Sequence, residues 1–393
     1  MKYPLDAKQL GQDYFDLAIV FFVLLVSYAV KFAELVELDV VVVGWTAVML
    51  YALYRVRLSL FFIPAIFYLV LFLAYLSGTV FVPLNPAELE YGRVLLTSFI
   101  LSTLVFGLMI KKNGASGIAA GSSLSARWIS YLGLIAITAW TIFVYTEGKN
   151  IGGSVVKEYG GANYLTSSDL LAMFSLSVLG SRNISTKESL IFFAISVMAL
   201  IFLGSRASLL IFCVAYIFCV GQIRGRNKLI IFFGVLLIAV ALGLAVQSDE
   251  SDLFFRFKTL YDLGGDESLT AREVFFSSYV STIDQRVECL FLPCMPASGD
   301  YVHSIISVHQ YFGIAGVVAI AFLLALVLMY YLKFRNFLLP GLFFYVCINM
   351  FFARAWVSLV FPVFIGMLLF FATKVLVATK KGSPLIGKTE LSH

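Results

Sequence analysis

Apolar residues in this chain fall in long blocks separated by short polar stretches, instead of alternating with polar residues. That is the pattern of membrane-spanning helices, because about 20 apolar residues rising 1.5 Å each cross the hydrocarbon layer. The blocks run over roughly 16–33, 39–54, 58–77, 93–110, 128–146, 169–180, 189–204, 207–222, 229–246, 304–332, 337–353 and 355–373. They predict an all-α polytopic membrane protein of about 12 transmembrane helices, with 1–393 forming a single transmembrane domain. The block at 169–180 is the weakest. It fits either half of a broken helix or a helix that extends into its flanks. Asp6, Asp13 and Asp16 precede the first block and no small-residue cleavage site follows it, so that span is expected to be retained.

Orientation follows from the connections. Alternate loops carry Arg55 and Arg57; Lys111, Lys112 and Arg127; Arg182 and Lys187; Arg224, Arg226 and Lys228; Lys333 and Arg335. With the basic residues of the two termini, 18 of the 28 Lys and Arg fall on one side. The positive-inside rule makes that side cytoplasmic, with both termini on it. Two sizeable loops, 147–168 and 247–303, are then extracytoplasmic, and only the second is long enough to form a subdomain. It is expected to be partly helical. Residues 252–263 suit a helix lying in the membrane interface, and Thr270-Ala271-Arg272-Glu273 reads as a capping box opening a helix over 271–288.

Composition agrees with this reading. The chain is 61% hydrophobic and 13% charged, about half the charge fraction of soluble domains, and its mean hydropathy is +0.95. The net charge of +5 comes from short basic runs between apolar blocks, which act as topology signals and do not argue for nucleic acid.

Candidate chemistry starts from two absences. No Asp or Glu lies in the interior of any block as drawn, the end of the first excepted, which argues against an ion-coupled carrier. The short cytoplasmic loops hold no Gly-rich phosphate loop and no paired acids for a nucleotide-bound metal, so a cytoplasmic nucleotide-using enzyme is not expected. The positive signal is basic residues on the outward side. Arg206 sits in the turn Gly204-Ser205-Arg206 between two blocks of about 16 residues, which reach only about 24 Å. The turn is therefore expected to be recessed, where a guanidinium needs a partner. A snorkelling side chain and an anion ligand in an outward cavity are the two readings. Arg354, in Ala353-Arg354-Ala355, has a similar setting. Arg272 would stand at the second position of the capped helix, where free N–H groups favour an anion, or it is a surface residue without a role. His303 opens the span after the large loop, as an interfacial anchor or as a proton-transfer group. Ser307 and Gln310 can share a face with it, whereas His309 cannot. Arg256, Lys258 and Arg286 are expected to meet lipid headgroups or Glu288. Cys289 and Cys294 are expected to form a disulfide in an oxidising compartment, a zinc pair being the alternative. Cys213, Cys219 and Cys347 lie in spans as small apolar packers.

In order, the chain presents Gly-Ser-Arg (204–206) between two spans and a large outward loop with Leu-Thr-Ala-Arg-Glu (269–273). Tyr-Val-His-Ser-Ile-Ile, followed by Tyr-Phe-Gly-Ile-Ala-Gly (301–316), then leads a span. This order resembles the bacterial O-antigen polymerase and ligase superfamily, nearest to its Wzy-type polymerases, over about 200–320. The resemblance implies a GT-C-like membrane glycosyltransferase that needs neither nucleotide nor metal and has no cofactor. Its donor and acceptor would be glycans on undecaprenyl pyrophosphate. It would sit in the bacterial inner membrane with its active site on the periplasmic side, beside a chain-length regulator and a flippase. It also implies that Arg206 and Arg272 hold the pyrophosphate and that His303 activates the acceptor hydroxyl or stabilises the leaving group. Arg354, Arg286, Lys149, Ser205 and Gln310 are the further candidates for substrate contacts. The family's Arg-x10-Gly pattern is approximated only by Lys149 to Gly160. Three alternatives remain: a ligase acting on lipid A core, a lipid-linked oligosaccharide flippase or other transporter, and a polyprenyl-phosphate-sugar transferase using Glu34, Glu37 or Asp39.

Overall fold

The computed structural model describes residues 7–32, 40–56, 58–79, 88–110, 163–180, 186–203, 205–221, 267–293, 304–334 and 339–380, together with 131–133, 135–136, 139 and 302. Among these residues every regular element is helical and there is no strand. The helices are α1 Ala7–Phe32, α2 Val40–Arg55, α3 Phe62–Thr79, α4 Glu88–Ile110, α5 Asn163–Leu179, α6 Thr186–Phe202, α7 Arg206–Gly221, α8 Glu267–Gln285, α9 Ile306–Phe334, α10 Pro340–Phe352 and α11 Val360–Lys380. Short 3-10 turns at Leu58–Phe61 and Val287–Leu290 precede α3 and follow α8.

Three helical stretches are long and apolar enough to cross a membrane: Ser59–Ser77, Ile306–Phe334 and Val360–Val377. Shorter apolar helices stand beside them, in α1, α2, α4, α5, α7 and α10. The bundle hides polar backbone and presents apolar side chains outward. Leu50, Phe62, Leu69, Leu73, Val318 and Phe322 are all exposed, an apolar surface larger than water-facing proteins carry. Inside, α5 lies between α1 and α7, α10 packs on α7, and α11 is enclosed by α4, α9 and α10. Gly341 shows how close α10 comes to α7: a Cβ there would lie 2.3 Å from Cys219 Sγ and 2.7 Å from the carbonyl of Ala215. Only glycine allows that approach.

Three expectations change. α5 starts at Asn163, so the 169–180 block extends into its N-terminal flank, the second of its two readings, and α1 starts at Ala7; Asp169 and Asp16 therefore stand within helices. Both are buried and both have partners; Asp16 accepts a 2.7 Å hydrogen bond from Tyr51. The apolar blocks begin at these acids and leave out the polar turns that precede them. Second, α8 begins at Glu267, so Thr270 lies inside the helix and does not cap it, and Arg272 is not at its second position. The free N–H groups of the first turn belong to residues before Arg272. Third, α11 begins at Val360, and residues 353–359 form a turn-rich link instead of a tight reversal. The segments 252–263, 229–246 and most of 128–146 and 147–168 lie outside the described residues.

Candidate functional site

Helix lengths set the depth of the connecting turns. α6 has 17 residues, α7 16 and α10 13, about 26, 24 and 20 Å of rise, less than a hydrocarbon layer of about 30 Å. Ser205 at the head of α7 and Arg354 in the 353–359 link meet.

Their meeting point is a buried charge cluster. The Arg354 guanidinium donates from Nε to Asp169 Oδ2 at 2.6 Å and from Nη2 to Asp169 Oδ1 at 3.1 Å. Nη2 also reaches Ser208 Oγ at 2.8 Å and Ser205 Oγ at 3.4 Å, while Nη1 donates to the carbonyl of Ala353 at 3.3 Å. Ser205 donates to Ser208, and Ser208 donates to Asp169 Oδ1, at 2.8 and 2.9 Å. Tyr345 completes the carboxylate's shell with a 2.8 Å bond to Oδ1. The side chains of Arg354 and Asp169 are 5% and 2% exposed. A pair so far from water persists only when both partners are satisfied, as these are. Ser205 also stands at the head of α7, its carbonyl accepting from Leu209 N at 3.0 Å.

A second set of contacts ties the N-terminal end of α9 to the same link. Trp356 N donates to Ser307 Oγ at 2.9 Å, and the Trp356 ring packs against Tyr311 and Phe312. Gln310 Oε1 accepts from Val302 N at 3.1 Å. Tyr279 of α8 bonds to His309 Nδ1, and His309 Nε2 donates to the carbonyl of Leu290 at 2.9 Å. With Nε2 as the donor, Nδ1 is the acceptor and the phenol donates to it. Burial pushes the Tyr279 phenol up to about 12. Ile314 N donates to the carbonyl of Phe291 at 3.0 Å, where α9 kinks at Gly313.

The candidates sort as follows. Ser205 and Arg354 are brought together in the cluster, and Arg206 follows Ser205 as the first residue of α7, half-buried. Arg272 is half-buried and lies seven residues before Tyr279, on nearly the same face of α8, which packs toward α9. Gln310 is buried and holds Val302. Arg286 pairs with Glu288 at 3.0 Å, and the backbone N–H and Arg286 hold that carboxyl below its usual range. Cys289 is disulfide-bonded; Cys294, His303 and Lys149 lie outside the described residues. Cys213, Cys219 and Cys347 are free. Asp169, Ser208 and Tyr345 were not candidates from sequence. A carboxylate directly before an apolar run, preceded by Ser167 and Ser168, was the available signal. Among the described residues no group of His, Cys, Asp and Glu could hold a metal ion.

No protein-family model matches the chain, and no curated protein is significantly similar to it.

Proposed function

We propose that this chain is a membrane glycosyltransferase that polymerises lipid-linked oligosaccharide repeat units on the extracytoplasmic face of the bacterial inner membrane. About twelve spans in a GT-C-like arrangement with both termini cytoplasmic are part of the proposal. The observation that carries it is that Arg354 of one link meets Ser205, the residue before Arg206, at a single buried cluster. A cation such as Arg206 in a turn between short apolar helices suits an anion delivered by the membrane, and a lipid pyrophosphate is such an anion. In this reading Arg206 and Arg272 hold the pyrophosphate, and Asp169 holds Arg354 so that the turn keeps its shape. The acceptor sugar hydroxyl attacks the anomeric carbon of the donor glycan. The bond to the pyrophosphate oxygen breaks, undecaprenyl pyrophosphate leaves with the electron pair, and His303 takes the hydroxyl proton. The leaving group is already activated, so the residues have only to orient and neutralise it.

A carrier has one observation in its favour, the carboxylate of Asp169 inside α5. Its charge is matched by Arg354, which leaves it poorly suited to binding a driving cation. The glycan profile of a deletion strain tests the proposal. Single capped repeat units are the expected result. Loss of all capping points to a ligase, and accumulation of repeat units on the cytoplasmic side points to a flippase; either result rejects polymerisation.

A further inference from the structure

The 267–291 segment is not apolar enough to be a span, yet it exposes Phe276, Val280, Val287, Leu290 and Phe291, the last at 60%. Around α8 these residues are sorted. With Tyr279, the residue packed on α9, as the origin, Phe276 and Val280 project roughly 60–100° to one side at 100° per residue, and the exposed Val287 follows in the 3-10 turn beyond the extended Arg286. Glu273, Ser277, Ser281, Asp284 and Gln285, all exposed, occupy the next arc, at roughly 120–240°. The helix therefore has three faces: one packed, one apolar and exposed, one polar and exposed. Val274 is the one apolar residue on the polar arc.

α9 gives the level at which this sorted helix is held. No charged residue occurs between 304 and 332, and Lys333 closes the run. Counting about 20 residues, one hydrocarbon thickness, back from Lys333 reaches Gly313. That is where the helix kinks and where Ile314 N is bonded to the carbonyl of Phe291. Gly313 has φ 59° and ψ −160°, and a Cβ on it would lie 2.5 Å from that carbonyl oxygen. The contact therefore requires glycine. From Ile314 the exposed stripe of α9 continues through Val318, Phe322, Met329 and Leu332. The exposed apolar surface at Leu290 and Phe291 is thus continuous with the face that a spanning α9 turns to lipid.

We infer that residues 276–291 form a foot resting on the outer leaflet, with Phe276, Val280, Val287 and Phe291 among the upper acyl chains. The Ser277–Ser281–Asp284 arc stands in the headgroup water. Arg286 and Glu288 lie at the level between them. The foot fixes the outward segment at headgroup depth, and it does so whatever reaction the chain performs. Nitroxide labels on chain neighbours from different arcs test this, with the full chain reconstituted in phosphatidylethanolamine–phosphatidylglycerol vesicles. The variants are Phe276→Cys and Val280→Cys against Ser277→Cys and Ser281→Cys, all exposed positions whose replacement leaves packing intact; signal from native thiols is subtracted with labelled wild type. Oxygen relative to a water-soluble nickel chelate should relax the labels at 276 and 280 several-fold more than those at 277 and 281. Equal ratios at all four sites, whether lipid-like or water-like, overturn the inference. A water-like pair at 276 and 280 that becomes shielded only on adding another protein also overturns it.

Discussion

At the scale of single residues, the decisive feature is that Arg354 and Asp169 have withdrawn from water together. Removing one partner leaves the other charge buried. Asp169→Ala or Arg354→Ala is therefore expected to destabilise the protein by about 3–5 kcal/mol. Replacing both with Leu should recover most of that loss. Thermal unfolding in detergent of the two single variants and the double variant checks this; a double variant as unstable as the sum of the singles contradicts it. Arg354→Lys keeps charge but cannot reach Asp169 Oδ1, Oδ2 and Ser208 with one planar fork, so it should fall nearer to Ala than to wild type. Arg354 itself could be singled out from sequence, because a cation in a short turn between apolar blocks is costly. Its partner could not. The two residues are 185 positions apart, and the apolar pattern begins at Asp169, which puts it at the edge of a span. What makes it tolerable within α5 is long-range pairing with Arg354, Ser208 and Tyr345, which no local pattern encodes.

The element scale shows the same division. Apolar blocks located α2, α7 and the helices of 304–353 to within a few residues, because burial in lipid or in a helix core follows hydropathy. Boundaries failed where polar residues continue a helix, at Asn163–Ser168 and Glu267–Thr270, and where a link is held by side chains, at 353–359. The Trp356–Ser307 bond and the tilted and edge-on packing of the Trp356 ring on Tyr311 and Phe312 hold that link against α9. The docking of the 287–292 segment on α9 depends on Gly313. Gly313→Ala puts a side chain in a backbone region that costs about 1–3 kcal/mol and drives it into Phe291. Amide exchange should then rise in 287–292 and at Ile314 while α11 stays protected. Exchange that rises evenly across the chain, or not at all, contradicts that dependence. Reducing the disulfide at Cys289 is expected to loosen the same segment without ending the chemistry, which exchange and turnover on reduced protein would show together.

For the whole molecule, Ser205 at the head of α7, the 353–359 link and the start of α9 meet through the Arg354–Ser205 and Trp356–Ser307 bonds. Reporter fusions at Lys228 and Asp266 are expected to give opposite signals, the first cytoplasmic and the second outside; the same side for both would overturn the span order. The reaction is tested most directly with purified chain in vesicles, supplied with an undecaprenyl-pyrophosphate-linked repeat unit and no nucleotide or metal. The proposal predicts a ladder of lipid-linked glycans with one undecaprenyl pyrophosphate released per unit added, and its strong reduction by Arg206→Lys in protein that remains folded. Folded wild-type protein that yields no ladder, or a ladder undiminished by replacing Arg206, Arg272 and His303 in turn, would contradict the account.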